Sequence, residues 1–412
     1  MLRRRLLAVL PVVAIGACAA VLIPTGSAAA ASPGTEGKTY VALGDSYAAG
    51  FGLPPAEGTL TGQPVAGCAQ TTGDYPHLLA ATLGLDLTDV TCSGAKTTDF
   101  ANSQTAAGAA PQLDVFDTIQ PDLVTITIGG NDLGFSPISL NCLAASKNGP
   151  TFNHPAFASC KAYYESTAAG GGAAFNPYDK IADTVAKVDA AIKAVKAKAP
   201  NAKIAVIAYP AIAPDAANTP AAGCYTANAA VPPIPLPGLP ISVGSTLPFT
   251  DTDVPFLQVL QQQLNTGIGA AAAANGAAYA DIYPTSLAHS ACQPESTRWV
   301  EPLIPAAAAQ GATNTLHPNL AGTTAMAAAL APVVEALFPT APTSSAPPTT
   351  PGSSSSAPTT ATSAASTVAA GGEPLANTGT TFPVAWTVGL GGLLLAAGVT
   401  SLRIGRGHRA RH

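Results

Sequence analysis

Ser46 stands in the stretch KTYVALGDSYAAG (38–50), where an apolar run breaks into a turn of small residues. A serine so placed is either the nucleophile of a hydrolase or the start of an ordinary turn. Its hydroxyl attacks an acyl carbon only when a neighbouring base takes the proton. The oxyanion that follows needs donors already aimed at it. Three more small, polar clusters carry residues of those types: CSGAKTTDF (92–100), GGND (129–132) and LHPN (316–319).

The elements around these clusters alternate. TYVAL (39–43), DLVTITI (122–128), AKIAVIAY (202–209) and AAYADIY (277–283) are short and nearly continuous in apolarity, as strands buried on both faces are. LDLTDVTC (85–92) is weaker and reads as an edge strand. In DKIADTVAKVDAAIKAVKAKAP, Ile181, Val185, Val188, Ile192 and Val195 recur at helical spacing, and Pro200 ends the run. FLQVLQQQLNTGIGAAAAANG and AGTTAMAAALAPVVEALF are helical too. Strands alternating with helices predict a parallel sheet covered on both faces, with its active site beyond the C-terminal strand ends. GDSY follows the first strand, CSGAKTTDF the second and GGND the central one, while LHPN precedes the last helix. All four clusters are therefore expected at one edge of the sheet.

In this order, over about residues 38–338, the motifs resemble those of the SGNH hydrolases, also called GDSL-type lipases and esterases, in their secreted actinobacterial branch. The resemblance implies a three-layer α/β/α sandwich with a five-stranded parallel sheet, flavodoxin-like in arrangement. It implies hydrolysis of carboxylic esters, of lipid or of acylated glycan, with no cofactor. Its nucleophile falls on Ser46 and its base on His317. Its oxyanion hole falls on the N–H groups of Ser46 and Gly94 and the carboxamide of Asn131. His77, His154 and His289 lack such a setting and are assigned core or surface roles, and Asp45 is expected to fix the turn rather than touch His317. Many family members carry Asp three residues before the histidine, where this chain has Asn314. An amide oxygen can still accept the Nδ1–H bond and hold the tautomer. Other members use a main-chain carbonyl there. The expectation is a Ser46–His317 dyad assisted by Asn314. Alternatives are an acetyl esterase acting on polysaccharide, or a wall-anchored binding protein on an inert hydrolase scaffold.

The long connections 133–176 and 211–253 flank the expected site. The second contains VPPIPLPGLPISVGSTLPF, apolar yet too rich in proline for a helix or central strand. It is expected to border an acyl-chain groove, with Trp299 as another wall.

Six cysteines follow Cys18, an even number that implies disulfides in an exported chain. The family resemblance implies sequential pairing: Cys68–Cys92, Cys142–Cys160 and Cys224–Cys292. No C-x-x-C or paired-histidine spacing points to a metal.

The ends have their own logic. Arg3, Arg4 and Arg5, a long apolar run and the small-residue exit TGSAAAAS describe a signal peptide over 1–31. Residues 340–374 are a Pro/Ser/Thr/Ala-rich linker that cannot bury a core. LANTG (375–379), an apolar segment at 384–402 long enough to span a bilayer, and the basic tail 403–412 follow. This resembles a Gram-positive cell-wall sorting signal, cut by a sortase between Thr378 and Gly379. Ala376 stands where the commonest motif has proline, as in the variant used by some high-GC Gram-positive sortases. The partners expected are thus ester substrate, sortase, cell wall and, before processing, membrane. Seven of the 18 Lys and Arg residues lie in the two ends while all 23 acids lie between, so the exported part carries a net charge of −12. That excess argues against nucleic acid as a partner.

Overall fold

The computed structural model describes residues 34–53, 66–166, 168–225, 234–235, 242–243, 247–303 and 315–339. The signal peptide, the linker, Thr378 and Gly379 of the sorting motif, and the segment 384–402 lie outside them.

Five parallel strands form the central sheet: β1 (Thr39–Gly44), β2 (Asp86–Asp89), β3 (Leu123–Thr127), β4 (Lys203–Ile207) and β7 (Ala278–Ala280), in the order β2-β1-β3-β4-β7. Two-residue strands β5 (Ile234–Pro235) and β6 (Ser242–Val243) pair with each other, antiparallel. The weak amphipathic stretch does form the edge, as β2, while every residue of central β3 is buried. The stretch 277–283 yields only three strand residues. There Asp281 Oδ1 accepts from Tyr283 N at 3.2 Å, and Pro284 stands in the first turn of helix α8 (Tyr283–Ser286).

The long helices cover the two faces. α6 (Ile181–Lys198) and α7 (Asp253–Ala274) pack together on one, and α2 (Tyr75–Leu83) and α9 (Leu320–Leu337) on the other. Val188, Ile192 and Val195 of the α6 stripe are buried, as its helical period requires. α9 is long and apolar enough to cross a membrane by length and composition alone. Its Met326, Leu330 and Val334 are instead buried in the domain core.

Four further short helices lie among the described residues: α1 (Ser46–Ala49), α3 (Gly130–Leu133), α4 (Phe135–Asn141) and α5 (Cys160–Glu165). The last two lie inside what reads in sequence as a long connection. They are too short to show a period, and a disulfide between Cys142 and Cys160 joins the end of α4 to the start of α5. A second disulfide, Cys68–Cys92, ties the loop before α2 to the turn that precedes Gly94. The third joins Cys224 to Cys292.

Candidate active site

β1 delivers Ser46. The strand ends at Gly44, whose N–H donates to Gln112 Oε1 and whose carbonyl accepts from Gln112 Nε2, both at 2.9 Å. Glycine is required there because a Cβ would lie 2.6 Å from the Thr127 carbonyl oxygen. Asp45 then caps the one-turn helix, its Oδ1 accepting from Tyr47 N at 3.0 Å. Ser46 is the first residue of α1, where N–H groups have no helical acceptor.

His317 comes from the loop that enters α9. Leu316, at φ +58°, turns the chain, and its carbonyl accepts from Tyr47 Oη at 2.6 Å. His317 Nε2 lies 2.7 Å from Ser46 Oγ, across 271 residues of sequence. Its Nδ1 lies 2.7 Å from the Thr315 carbonyl oxygen. A carbonyl can only accept, so Nδ1 donates there, and the neutral ring presents the Nε2 lone pair to the serine hydroxyl. The rings of Tyr47 and Phe51 stand 5.0 and 4.9 Å from the imidazole. Burial disfavours the charged ring and lowers its pKa to about 4, with the Thr315 hydrogen bond acting the other way.

The Nδ1 acceptor in the structure is a main-chain carbonyl, the alternative to the Asn314 side chain. The acceptor is the main chain of Thr315, two residues before the histidine, which reaches the ring within one turn of backbone and needs no side chain. Asn314 itself lies outside the described residues.

Gly94 follows β2 in a turn at φ +81°, a conformation that glycine adopts without strain. Among the described residues its N–H has no recorded acceptor. Asn131, in α3 at the end of β3, donates through Nδ2 to the Ala95 carbonyl at 3.0 Å. Its neighbour Asp132 accepts from Thr97 N at 2.9 Å and from Thr97 Oγ1 at 2.7 Å. Residues 94–97 and α3 are thereby locked together, so the Gly94 N–H and the second Asn131 N–H are held as a unit.

Beneath this unit Tyr209, just beyond β4, donates its hydroxyl to Asp45 Oδ2 and accepts from Gly130 N at 3.0 Å. Asp45 is fully buried and touches Tyr47 and Tyr209 rather than His317. Burial pushes its carboxyl up to about 7, against the two hydrogen bonds.

The other histidines stand apart. His154 stacks on Tyr163 at 3.5 Å and His289 on Trp299 at 3.9 Å. His77 Nδ1 lies 2.8 Å from Asp74 Oδ1, near Asp89, and these three form the one set of metal-ligand types gathered among the described residues. The proline-rich stretch 231–249 lies largely outside the described residues. Sequence reasoning missed Thr315, Tyr209, Gln112, Asp132 and the Asp74–His77–Asp89 cluster. Tyr209, Gln112 and Asp132 act on partners that only folding brings near.

The chain matches the sequence profile of the GDSL-like Lipase/Acylhydrolase family over residues 42–325. It is 36% identical over 295 residues to Lipase 2 of Streptomyces coelicolor, covering 71% of this chain and 86% of that protein. To Lipase 1 of the same organism it is 28% identical over 278 residues, covering 67% and 81%. The crystal structure of phospholipase A1 from Streptomyces albidoflavus, 24% identical, matches 73% of this chain and 99% of its own with a TM-score of 0.48.

Proposed function

The chain belongs to the GDSL-like lipase/acylhydrolase family and is a carboxylic-ester hydrolase; from that premise we propose that it works through an acyl-enzyme on Ser46 with His317 as the base. The observation that carries this reading is the 2.7 Å approach of His317 Nε2 to Ser46 Oγ. As Oγ attacks the ester carbonyl carbon, Nε2 takes the hydroxyl proton and the carbonyl oxygen becomes an oxyanion. The N–H groups of Ser46 and Gly94 and the Asn131 carboxamide stabilise that charge. Collapse of the intermediate breaks the C–O bond, and His317 returns the proton to the departing alcohol. Water then attacks the acyl carbon, gives a proton to Nε2 and releases the carboxylic acid, and the proton returns to Oγ. The Thr315 carbonyl keeps Nδ1 protonated and the ring in line throughout.

Two relatives are named lipases, and the apolar stretch 231–249 supports an acyl-chain site, so the favoured substrates are lipid or fatty-acyl esters. The reading extends to the layout of the chain. Residues 1–31 direct export and 38–338 form the hydrolase. A sortase cut after Thr378 of LANTG (375–379) joins it to the wall beyond the spacer 340–374, with the segment 384–402 holding it in the membrane until then. The test is turnover of p-nitrophenyl esters of graded chain length by wild type and Ser46→Ala. Hydrolysis that peaks beyond acetate and vanishes in the variant supports the reading. An optimum at acetate moves the substrate to acetylated glycans, and undiminished turnover by Ser46→Ala rejects the nucleophile.

A further inference from the structure

Asp74, His77 and Asp89 meet where the N-terminal end of α2 approaches the end of β2, in a place the ester chemistry does not use. Asp74 caps α2 and accepts from His77 N at 2.8 Å through Oδ1, the same oxygen that meets His77 Nδ1. Asp89 ends β2 and accepts from Thr91 N at 2.9 Å through Oδ1. One potential ligand atom from each of the three lies within 4.8 Å of the others.

The second oxygens carry the inference. Asp74 is 0% exposed, and its Oδ2 is buried with no hydrogen-bond partner. Asp89 Oδ2 is also buried and unpartnered. Two carboxylates face each other here, and among the described residues neither is paired with a lysine or arginine. Buried carboxylate oxygens are ordinarily hydrogen-bonded or bound to a cation, because an unmatched one costs its full desolvation. His77, with 31% of its side chain exposed, gives a path in from solvent.

We propose that Asp74, His77 and Asp89 bind one divalent transition-metal cation of the zinc type. The donor set decides the class, since imidazole favours zinc and its neighbours while calcium and magnesium prefer oxygen alone. Two carboxylates match the charge of one divalent ion. Zinc ligands stand about 2.0–2.2 Å from the metal, so three atoms this close converge on it by small side-chain rotations. The ion's effect is structural. Asp74 N donates to Thr71 O at 3.3 Å and Thr71 N to Ala49 O at 3.0 Å, so the site backs onto the helix that begins at Ser46. A cation would pin β2, α2 and that loop together.

The test uses the folded, disulfide-bonded protein after treatment with EDTA, titrated with Zn²⁺ by calorimetry, with Tm followed against free metal. One Zn²⁺ per chain is expected, with a Tm that rises with the logarithm of free metal. Both effects are lost in His77→Ala, whose partly exposed side chain can be removed without opening the core, and in Asp89→Asn. Should Asp89→Asn fail to fold, the visible spectrum of the Co²⁺-loaded wild type against His77→Ala decides, with loss of the histidine-dependent band expected. Absence of Zn²⁺ binding means that the carboxyls share a proton instead and overturns the proposal. So does unchanged binding in His77→Ala, and so does stabilisation by Ca²⁺ but not Zn²⁺.

Discussion

Glu301 N donates to the His317 carbonyl at 2.9 Å, and Glu301 O accepts from Leu316 N at the same distance. The loop that presents the imidazole is therefore clamped on both sides to one residue. The side chain of Glu301 completes the clamp. Its Oε2 meets Arg298 Nη2 at 2.6 Å and Nε at 2.9 Å, and its Oε1 accepts from Asn319 Nδ2 at 3.0 Å. Arg298 is 5% and Glu301 7% exposed.

Removing one member of a buried ion pair leaves the other charged and unmatched, at a cost of about 3–5 kcal/mol. Glu301→Ala is expected to lose stability on that scale, read as a lower urea midpoint. Activity should fall as well, because Asn319, which Glu301 holds, caps α9 two residues after the histidine. A midpoint within experimental error of wild type would show that the clamp is dispensable.

The pH dependence follows from His317. Its imidazole is neutral down to about pH 4, so the acid limb of kcat/KM is expected near pH 4 rather than near 6.5, the ordinary histidine value. The same shift links to stability. Between about pH 6.5 and pH 4 the unfolded chain binds the proton that the folded chain refuses, so this residue's contribution is lost as pH falls through that window. A kcat/KM profile from pH 3.5 to 8 checks the first point, and an acid limb at 6.5 contradicts it.

Asp45 runs in the opposite sense. Its carboxyl, raised to about 7 by burial, holds a proton in the folded state that the unfolded chain releases near pH 3.9. The stability it contributes is complete below that value and is lost as pH rises to about 7. Asp45→Asn should flatten that decline, seen as a Tm that falls less between pH 4 and 7 than in wild type. Parallel Tm curves for the two proteins would remove Asp45 as the source.

Asn314→Ala is expected to keep turnover within a few-fold of wild type, since the Nδ1 acceptor is the Thr315 carbonyl. A loss of several hundredfold would return the orienting role to the amide.

Asn131→Ala removes a proposed oxyanion donor, and loss of such a donor typically costs about 2.7–4 kcal/mol in transition-state stabilisation. The loss is expected in kcat with little change in KM, measured by steady-state hydrolysis of a soluble ester. A change confined to KM would place Asn131 in ground-state binding instead.

These expectations show what the sequence could reveal. β3 and α6 were legible because their patterns are local: a run buried on both faces and a helical stripe ending before Pro200. The motifs placed Ser46, Gly94 and Asn131 after strands and His317 before the last helix, and the structure brings Ser46 and His317 within 2.7 Å. α4 and α5 were not, since six or seven residues give no period. Thr315 was invisible because it acts through a main-chain oxygen, which leaves no mark on residue type. Tyr209, Gln112 and Glu301 were hidden for another reason. Tyr209 meets Asp45 across 164 residues and Gln112 meets Gly44 across 68, distances no local pattern encodes.

Covalent labelling by a fluorophosphonate reads the activation of Ser46 itself, because the reagent reacts with a serine only where a base and an oxyanion hole activate it. One adduct per chain is expected, mapped to Ser46 by peptide mass spectrometry and abolished in Ser46→Ala. In His317→Ala, labelling should slow by orders of magnitude. Labelling of another serine, or an Ser46 adduct that forms at an unchanged rate without His317, would contradict it.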